Sequence, residues 1–331
     1  MRNFLLGCAV LFVAQGGLEA RDWTSSDGKK IVADFVELDG EVVVLKMRGK
    51  EYRVPLAKLS EEDQEFAKSQ GAVAEEPEKA GSLFGEELKP GGTVLATGLL
   101  DEDVIKALSG NKLKPTQMKI KLSLPADFDP GKPQKVFWAV GGINNEGERL
   151  KGNIGTFEGR GRTPESKGWI VISADTEHGN PRESTVAECK GDKEFHLQVI
   201  EEMTKVWPGF KTWKHACGGH SSGAKGTFFR IAQLLKADAN VVGGYFSGCN
   251  QSMAALAQEE TGVRKSAFKG VKGYQSTGDK DNLVDENHIE SVGDEMKSAG
   301  FREIRSKTFP GGHTTSPEQQ AEALDWFLEG E

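Results

Sequence analysis

Cysteine, tyrosine, positive charge and long apolar runs are all in short supply here. The 331 residues include only 4 cysteines and 3 tyrosines. The cysteines show no zinc-ligand spacing, so no structural zinc cluster is expected and no metal is called for. Beyond the N-terminus no apolar run reaches the length a membrane span requires. Lys and Arg number 42 against 50 Asp and Glu, a net charge of -8. A chain without a basic stripe cannot neutralise phosphates, which argues against nucleic acid as a partner. What remains suits a globular protein of one large domain and one small one, 28% charged and 37% hydrophobic.

The one concentrated apolar run lies at the start. Arg2 supplies a short positive segment, residues 4–13 are almost wholly apolar, and Leu18-Glu19-Ala20 offers a small residue at a cleavage edge. This is the pattern of a secretory signal peptide over residues 1–20. The sequence Leu5-Leu6-Gly7-Cys8 lies too early for a lipid-anchor site. The expectation is an exported protein, periplasmic or extracellular, with a mature chain starting near Arg21. Cleavage would remove Cys8 and leave Cys189, Cys217 and Cys249. An oxidising compartment then permits one disulfide, its pairing open, with one thiol left over.

Residues 21–70 have a texture of their own. Residues 31–38 and 41–47 are strand-like and flank Asp39-Gly40, a strong hairpin signal. Arg48-Gly49-Lys50 turns the chain into a further strand, and Ser60-Glu61-Glu62-Asp63 opens a helix with a cap and helpful acids. These elements predict a small SH3-like β-barrel with Trp23, Phe35, Tyr52 and Phe66 in its core. Residues 71–92, rich in Glu, Ala, Gly, Lys and Pro, read as a linker, with Leu83-Phe84 able to dock on a domain.

The barrel segment resembles the SHD-type homology domain first described in a eukaryotic endocytic adaptor. The matching residues are Arg21-Asp22-Trp23-Thr24, Ala33-Asp34-Phe35-Val36, Val54-Pro55-Leu56 and Leu59-Ser60-Glu61-Glu62-Asp63. The resemblance implies a docking module for a peptide, a glycan or a neighbouring protein. A plain spacer fold is the other reading.

Over residues 93–331, strand-like and helix-like segments alternate from about Thr116 onward. That alternation predicts an α/β domain, doubly wound around a mostly parallel sheet. Within it, Gly219-His220-Ser221-Ser222-Gly223 carries Gly-x-Ser-x-Gly. A strand feeds this pattern and a helix follows it. At such a strand-to-helix turn the serine takes strained backbone angles and the flanking positions admit only hydrogen.

A serine hydroxyl needs a base to accept its proton, and the base needs an acid to fix its tautomer. In this architecture the order along the chain is serine, acid, histidine. Among the 6 histidines, His313 lies between the last strand and the last helix, after Gly311-Gly312. His288 also follows the serine, but it opens a helix as a surface residue would. His178, His196 and His215 precede the serine, and His220 sits inside the turn as support. Asp281 is the acid in Gly278-Asp279-Lys280-Asp281, with Asp279 in reserve. An oxyanion hole requires two backbone N–H groups. Ser222 supplies one. Gly142, in the Gly141-Gly142-Ile143 loop, is expected to supply the other.

Residues from about Gln117 to the C-terminus resemble the α/β-hydrolase superfamily. Within it, the motifs around Ser221, Asp281 and His313 resemble secreted esterases of the polyhydroxyalkanoate-depolymerase and feruloyl-esterase type. The resemblance implies a serine esterase that forms a covalent acyl-enzyme on a small-molecule or polymeric ester, with no cofactor. A peptidase could use the same triad. The alternative is a catalytically silent hydrolase fold used for binding, with the N-terminal module as its protein-binding adaptor. Arg149, Arg160 and Arg162 lie in a polar loop that could face an anionic ligand, or simply be solvated.

Overall fold

The computed structural model describes residues 21–47, 49–71, 80–108, 115–141, 167–176 and 189–330. The segment read as a signal peptide, Gly142 and the arginine-bearing loop fall outside them. The chain divides into two units, Met1–Pro77 and Glu78–Glu331.

In the first unit, β1 (Arg21–Thr24), β2 (Lys30–Asp39), β3 (Val42–Met47) and β4 (Lys50–Pro55) form an antiparallel sheet in that order. An isolated bridge links Ser25 to Leu59. The helix α1 (Glu61–Gly71) follows. Trp23, Val43, Leu45, Leu56 and Leu59 are buried together, with Phe35 and Phe66 packed against them. The Trp23 ring stacks on Phe35 at 6.0 Å and meets Phe66 edge-on at 5.7 Å. Arg21 covers the Phe66 ring at 3.7 Å and pairs with Asp63 at 2.6 Å. The buried Asp63 carboxylate also accepts the Thr24 N–H at 2.6 Å, so its charge is compensated from two sides. Tyr52 does not join this core. It lies on the edge strand β4, where most side chains face solvent, and is 44% exposed.

The second unit begins earlier than the linker reading allows. Ala80, Leu83 and Leu88 are buried in its core, and the short strands β5 (Ser82–Leu83) and β6 (Glu86–Glu87) pair with each other. The Trp207 indole N–H donates to the Ala80 carbonyl at 2.8 Å. A few apolar side chains are enough to pin an otherwise polar stretch. Next comes β7 (Thr93–Leu99), an edge strand that the sequence reading passes over.

The strands β8 (Gln117–Ser123), β9 (Lys135–Val140), β10 (Ile170–Thr176), β11 (Lys214–His220), β12 (Val241–Ser247), β13 (Lys272–Gly278) and β14 (Glu303–Phe309) complete an eight-stranded sheet. Its order is β14-β13-β12-β11-β9-β10-β8-β7. From β14 through β10 all neighbours are parallel, and β8 runs against both β10 and β7. This is a mixed α/β fold around a large, mostly parallel sheet.

The helices are α2 (Glu102–Leu108), α3 (Cys189–Val206), α4 (Ser222–Lys236), α5 (Ala254–Thr261), α6 (Glu286–Ala299) and α7 (Pro317–Phe327). Central strands of such a sheet are covered on both faces, so they read as continuous apolar runs. Adjacent residues then point to opposite sides. Trp138 and Phe246 join the larger core with residues of α2 to α6, while Phe137 and Tyr245 join a smaller one with Trp326 and Phe327 of α7. Because β11 to β14 are parallel, their carboxyl ends share one edge. His220 is in register with Ser247, and Gly278 with Phe309. Open α/β sheets bind their ligands at that edge.

No helix among the described residues is long and apolar enough to cross a membrane. Cys217 and Cys249 are buried free thiols. Burial pushes both up, Cys249 to about 11, so neither is a ready nucleophile.

Candidate functional site

Ser221 occupies the turn between β11 and α4 with φ 56° and ψ -120°. This is left-handed backbone on a residue with a side chain, a costly conformation held by its surroundings. The Ser221 N–H donates to the Ser247 carbonyl at 2.8 Å, tying the turn to the neighbouring strand. A Cβ on Gly219 would lie 2.4 Å from the Gly223 backbone and 2.6 Å from the Val140 carbonyl oxygen. The glycine therefore lets the helix turn back against the strand. Ser222 is the first residue of α4, where backbone N–H groups point out along the helix axis.

The loops after β13 and β14 are joined by hydrogen bonds. Asp279 N–H donates to the Phe309 carbonyl and Lys280 N–H to the Gly311 carbonyl, both at 2.8 Å. The Asp279 carboxylate accepts the Gly311 N–H at 3.0 Å. Its side chain is thereby spent on the loop. Asp281 faces His313, with Oδ2 2.8 Å from Nδ1. Asp281 Oδ1 accepts the N–H groups of Leu283 at 2.8 Å and Val284 at 3.1 Å.

The Asp281 side chain is 1% exposed and that of His313 is 20% exposed. Burial alone would raise the Asp281 carboxyl. The Leu283 N–H, the His313 imidazole and the Val284 N–H together outweigh it and hold the group below the ordinary carboxylate range. An ionised Asp281 takes the proton on Nδ1 as its hydrogen-bond donor, leaving Nε2 of His313 as the acceptor. Among the described residues, Nε2 is buried and has no hydrogen-bond partner. It is therefore not bonded to Ser221 Oγ here. Contacts between nucleophile and base are commonly loose before a substrate is bound.

The other histidines lie elsewhere or do other work. His288 is on the surface in a capping box at the start of α6, with its N–H 3.0 Å from Asp285 Oδ1. His196 is buried on α3, 3.0 Å from Asp192. His215 is enclosed between the Trp138 N–H and the Phe210 carbonyl, and burial pushes it down to about 4. His178 lies outside the described residues. Among the described residues, no group of three His, Cys, Asp or Glu side chains could hold a metal ion.

Sequence reasoning missed the part played by the end of β12. The Ser247 hydroxyl lies 3.1 Å from His220 Nδ1 and 3.5 Å from the Thr314 carbonyl. Behind it, the Tyr245 hydroxyl donates to the Ser316 carbonyl at 3.4 Å, and Gln319 of α7 bonds both the Ser276 hydroxyl and the Thr308 carbonyl. The only signal in the sequence is a polar Ser247-Gly248 at the end of an apolar run, which marks a strand end and no partner.

No protein-family model matches the chain, and a comparison with curated proteins gives no match. Solved structures do resemble it. A feruloyl esterase module from Clostridium thermocellum, complexed with sinapinate, is 16% identical, with a TM-score of 0.47 over 73% of this chain and 90% of its own. An S-formylglutathione hydrolase, FrmB, from Staphylococcus aureus is 13% identical, with a TM-score of 0.46 over 73% of this chain and 99% of its own. Esterase 2 of Thermogutta terrifontis, phosphonylated by cyclosarin, is 16% identical, with a TM-score of 0.42 over 72% and 93%. These are esterases and serine hydrolases.

Proposed function

We propose that this protein is an exported serine hydrolase of the α/β-hydrolase fold that cleaves carboxylic esters. The observation that supports it best is the ionised Asp281 held 2.8 Å from His313 Nδ1, with Nε2 left as an open acceptor, at the sheet edge that also carries Ser221 in its strained turn.

In this reading Ser221 Oγ gives its proton to His313 Nε2 and attacks the ester carbonyl. The oxyanion that forms is held by the Ser222 N–H and by a second N–H from the Gly142 loop. The tetrahedral adduct collapses, its carbon–oxygen bond breaks, and the alkoxide leaves with the proton from His313. Water then enters, gives a proton to His313, and attacks the acyl-serine. Expulsion of Ser221 Oγ, which recovers that proton, frees the acid. Asp281 keeps the imidazole in one tautomer and offsets its positive charge throughout.

The small unit is read as an SH3-like docking module of the SHD type for a peptide or neighbouring protein. Its four-stranded meander, closing helix and Ser25–Leu59 bridge are compatible with that.

A fluorophosphonate probe tests the enzyme reading directly. The folded protein is expected to gain one adduct, found by peptide mass spectrometry on Ser221, with labelling blocked by prior reaction with an ester-type inhibitor. Folded protein that stays unlabelled would instead be a hydrolase fold used for binding.

A further inference from the structure

Beyond the three residues of the proposed triad, the site contains a second imidazole that the mechanism does not use. The His220 and His313 rings lie 4.5 Å apart between centroids at an interplanar angle of 46°. This is contact distance for two rings. His220 is itself held by the Ser247 hydroxyl, 3.1 Å from its Nδ1, and that hydroxyl also reaches the backbone beside His313 at Thr314. Below both rings lies Gly248, with φ +57°. A Cβ there would be 2.8 Å from Cε1 of His220 and 2.9 Å from Cε1 of His313. The end of β12 therefore supports two imidazoles at once, by a hydroxyl on one side and by a missing side chain underneath.

We propose that His220 is a positioning residue for His313: anchored on Ser247, its ring is the wall that keeps the His313 imidazole aimed at Ser221. Asp281 fixes one edge of the His313 ring, His220 packs against the ring at a tilt, and the Gly248 backbone approaches both. With only the Asp281 hydrogen bond, the ring could still rotate about the axis of that bond. A second ring packed against it removes this freedom.

A wall beside a base that becomes cationic must not itself be charged. Burial holds His220 down to about 4, helped by the neighbouring His313, and this outweighs the opposing pull of Asp281 and the Ser247 backbone. His220 is therefore neutral near pH 7. Among the described residues, the titratable groups seen against His313 are Asp281, from the loop after β13, and His220, from β11. The end of β12 brings the Ser247 hydroxyl and the Gly248 backbone to the same place.

For catalysis this rests on His313 being the base of the proposed mechanism. The arrangement of the rings can be tested without that reading. The full-length protein with isotope-labelled histidines is examined by NMR as wild type, His220→Ala and His220→Phe, and ester hydrolysis is followed in parallel. In His220→Ala the His313 ring should regain its freedom, and the downfield Nδ1–H resonance that marks its hydrogen bond to Asp281 should broaden or disappear. Loss of alignment should lower kcat by about 10- to 100-fold, with KM changed little. His220→Phe returns a ring without the Ser247 hydrogen bond and should recover part of both effects, which a general loss of folding would not allow.

An unchanged His313 Nδ1–H resonance and unchanged kcat in His220→Ala would overturn the proposal. Should that variant fail to fold, Ser247→Ala carries the test, because it frees the wall from its anchor. It should weaken the same resonance, and an unchanged resonance overturns the proposal equally. Failure of the esterase reading would look different: wild-type Ser221 would stay unlabelled by the fluorophosphonate while the spectra still reported on the two rings.

Discussion

Replacing Ser221 with alanine is expected to reduce hydrolysis of a short p-nitrophenyl ester by about 10⁴-fold or more, equivalent to about 5 kcal/mol of transition-state stabilisation. The reasoning starts from geometry. In the proposed mechanism Ser221 Oγ is the nucleophilic atom, and Cys217 and Cys249 are buried, raised thiols that cannot replace it. Alanine keeps the Cβ and hence the same backbone demand at φ 56°. The Ser221 N–H bond to the Ser247 carbonyl is also untouched. The substitution should therefore leave the far-UV spectrum and melting temperature close to those of the wild type while removing turnover. Full activity in a purified Ser221→Ala protein would exclude this residue as the nucleophile.

The second large effect concerns Asp281→Asn. The two side chains have the same shape, so packing in the 1%-exposed site is preserved. What changes is the proton. An amide NH₂ facing Nδ1 donates where the carboxylate accepted, which favours the tautomer with hydrogen on Nε2. That imidazole cannot take the serine proton. Tautomer inversion of this kind in a triad costs about 10⁴-fold in kcat. Fluorophosphonate labelling should slow in proportion, and KM should move little.

The charge also bears on stability. Asp281 is held below the ordinary carboxylate value, so its ionised form favours the folded state above the unfolded-state value of about 3.9. That contribution is lost as pH falls below this value and through the lower folded one. The asparagine variant should lack this part of the acid sensitivity. Stability curves from pH 7 down to pH 2 would show it, and parallel curves for the two proteins would exclude such a contribution from Asp281.

The sequence makes the position of Ser221 legible because a local pattern and a local context coincide: glycines two residues to either side, a strand before and a helix after. The acid is less legible. Asp279 and Asp281 are two residues apart in the same turn, and composition cannot separate them. The backbone does, because the Asp279 N–H pairs with Phe309 and its carboxylate then reaches Gly311. Tyr52 is misread for a related reason. Aromatic content suggests core, but only the pairing shows that β4 is an edge. The strand β7 is hidden by its composition, since the weak strand formers Ala96 and Gly98 interrupt the β-branched Thr93, Val94 and Thr97. The contact of His220 with Ser247 and His313 is long-range, and no local pattern encodes it.

The place of β14 in the sheet has a consequence for how the protein would lose function on heating. It is one of the two edge strands, and most of its side chains face solvent. Edge elements with little buried apolar surface open at lower free energy than the interior of a sheet. Yet the loop after β14 carries His313, and its backbone bonds to the loop after β13 are what bring that residue to Asp281. Fraying of this one strand would part Asp281 from His313 while Ser221, at the end of the interior strand β11, stayed in place. In the proposed mechanism thermal inactivation would then precede global melting, governed by the edge of the sheet and not by its core.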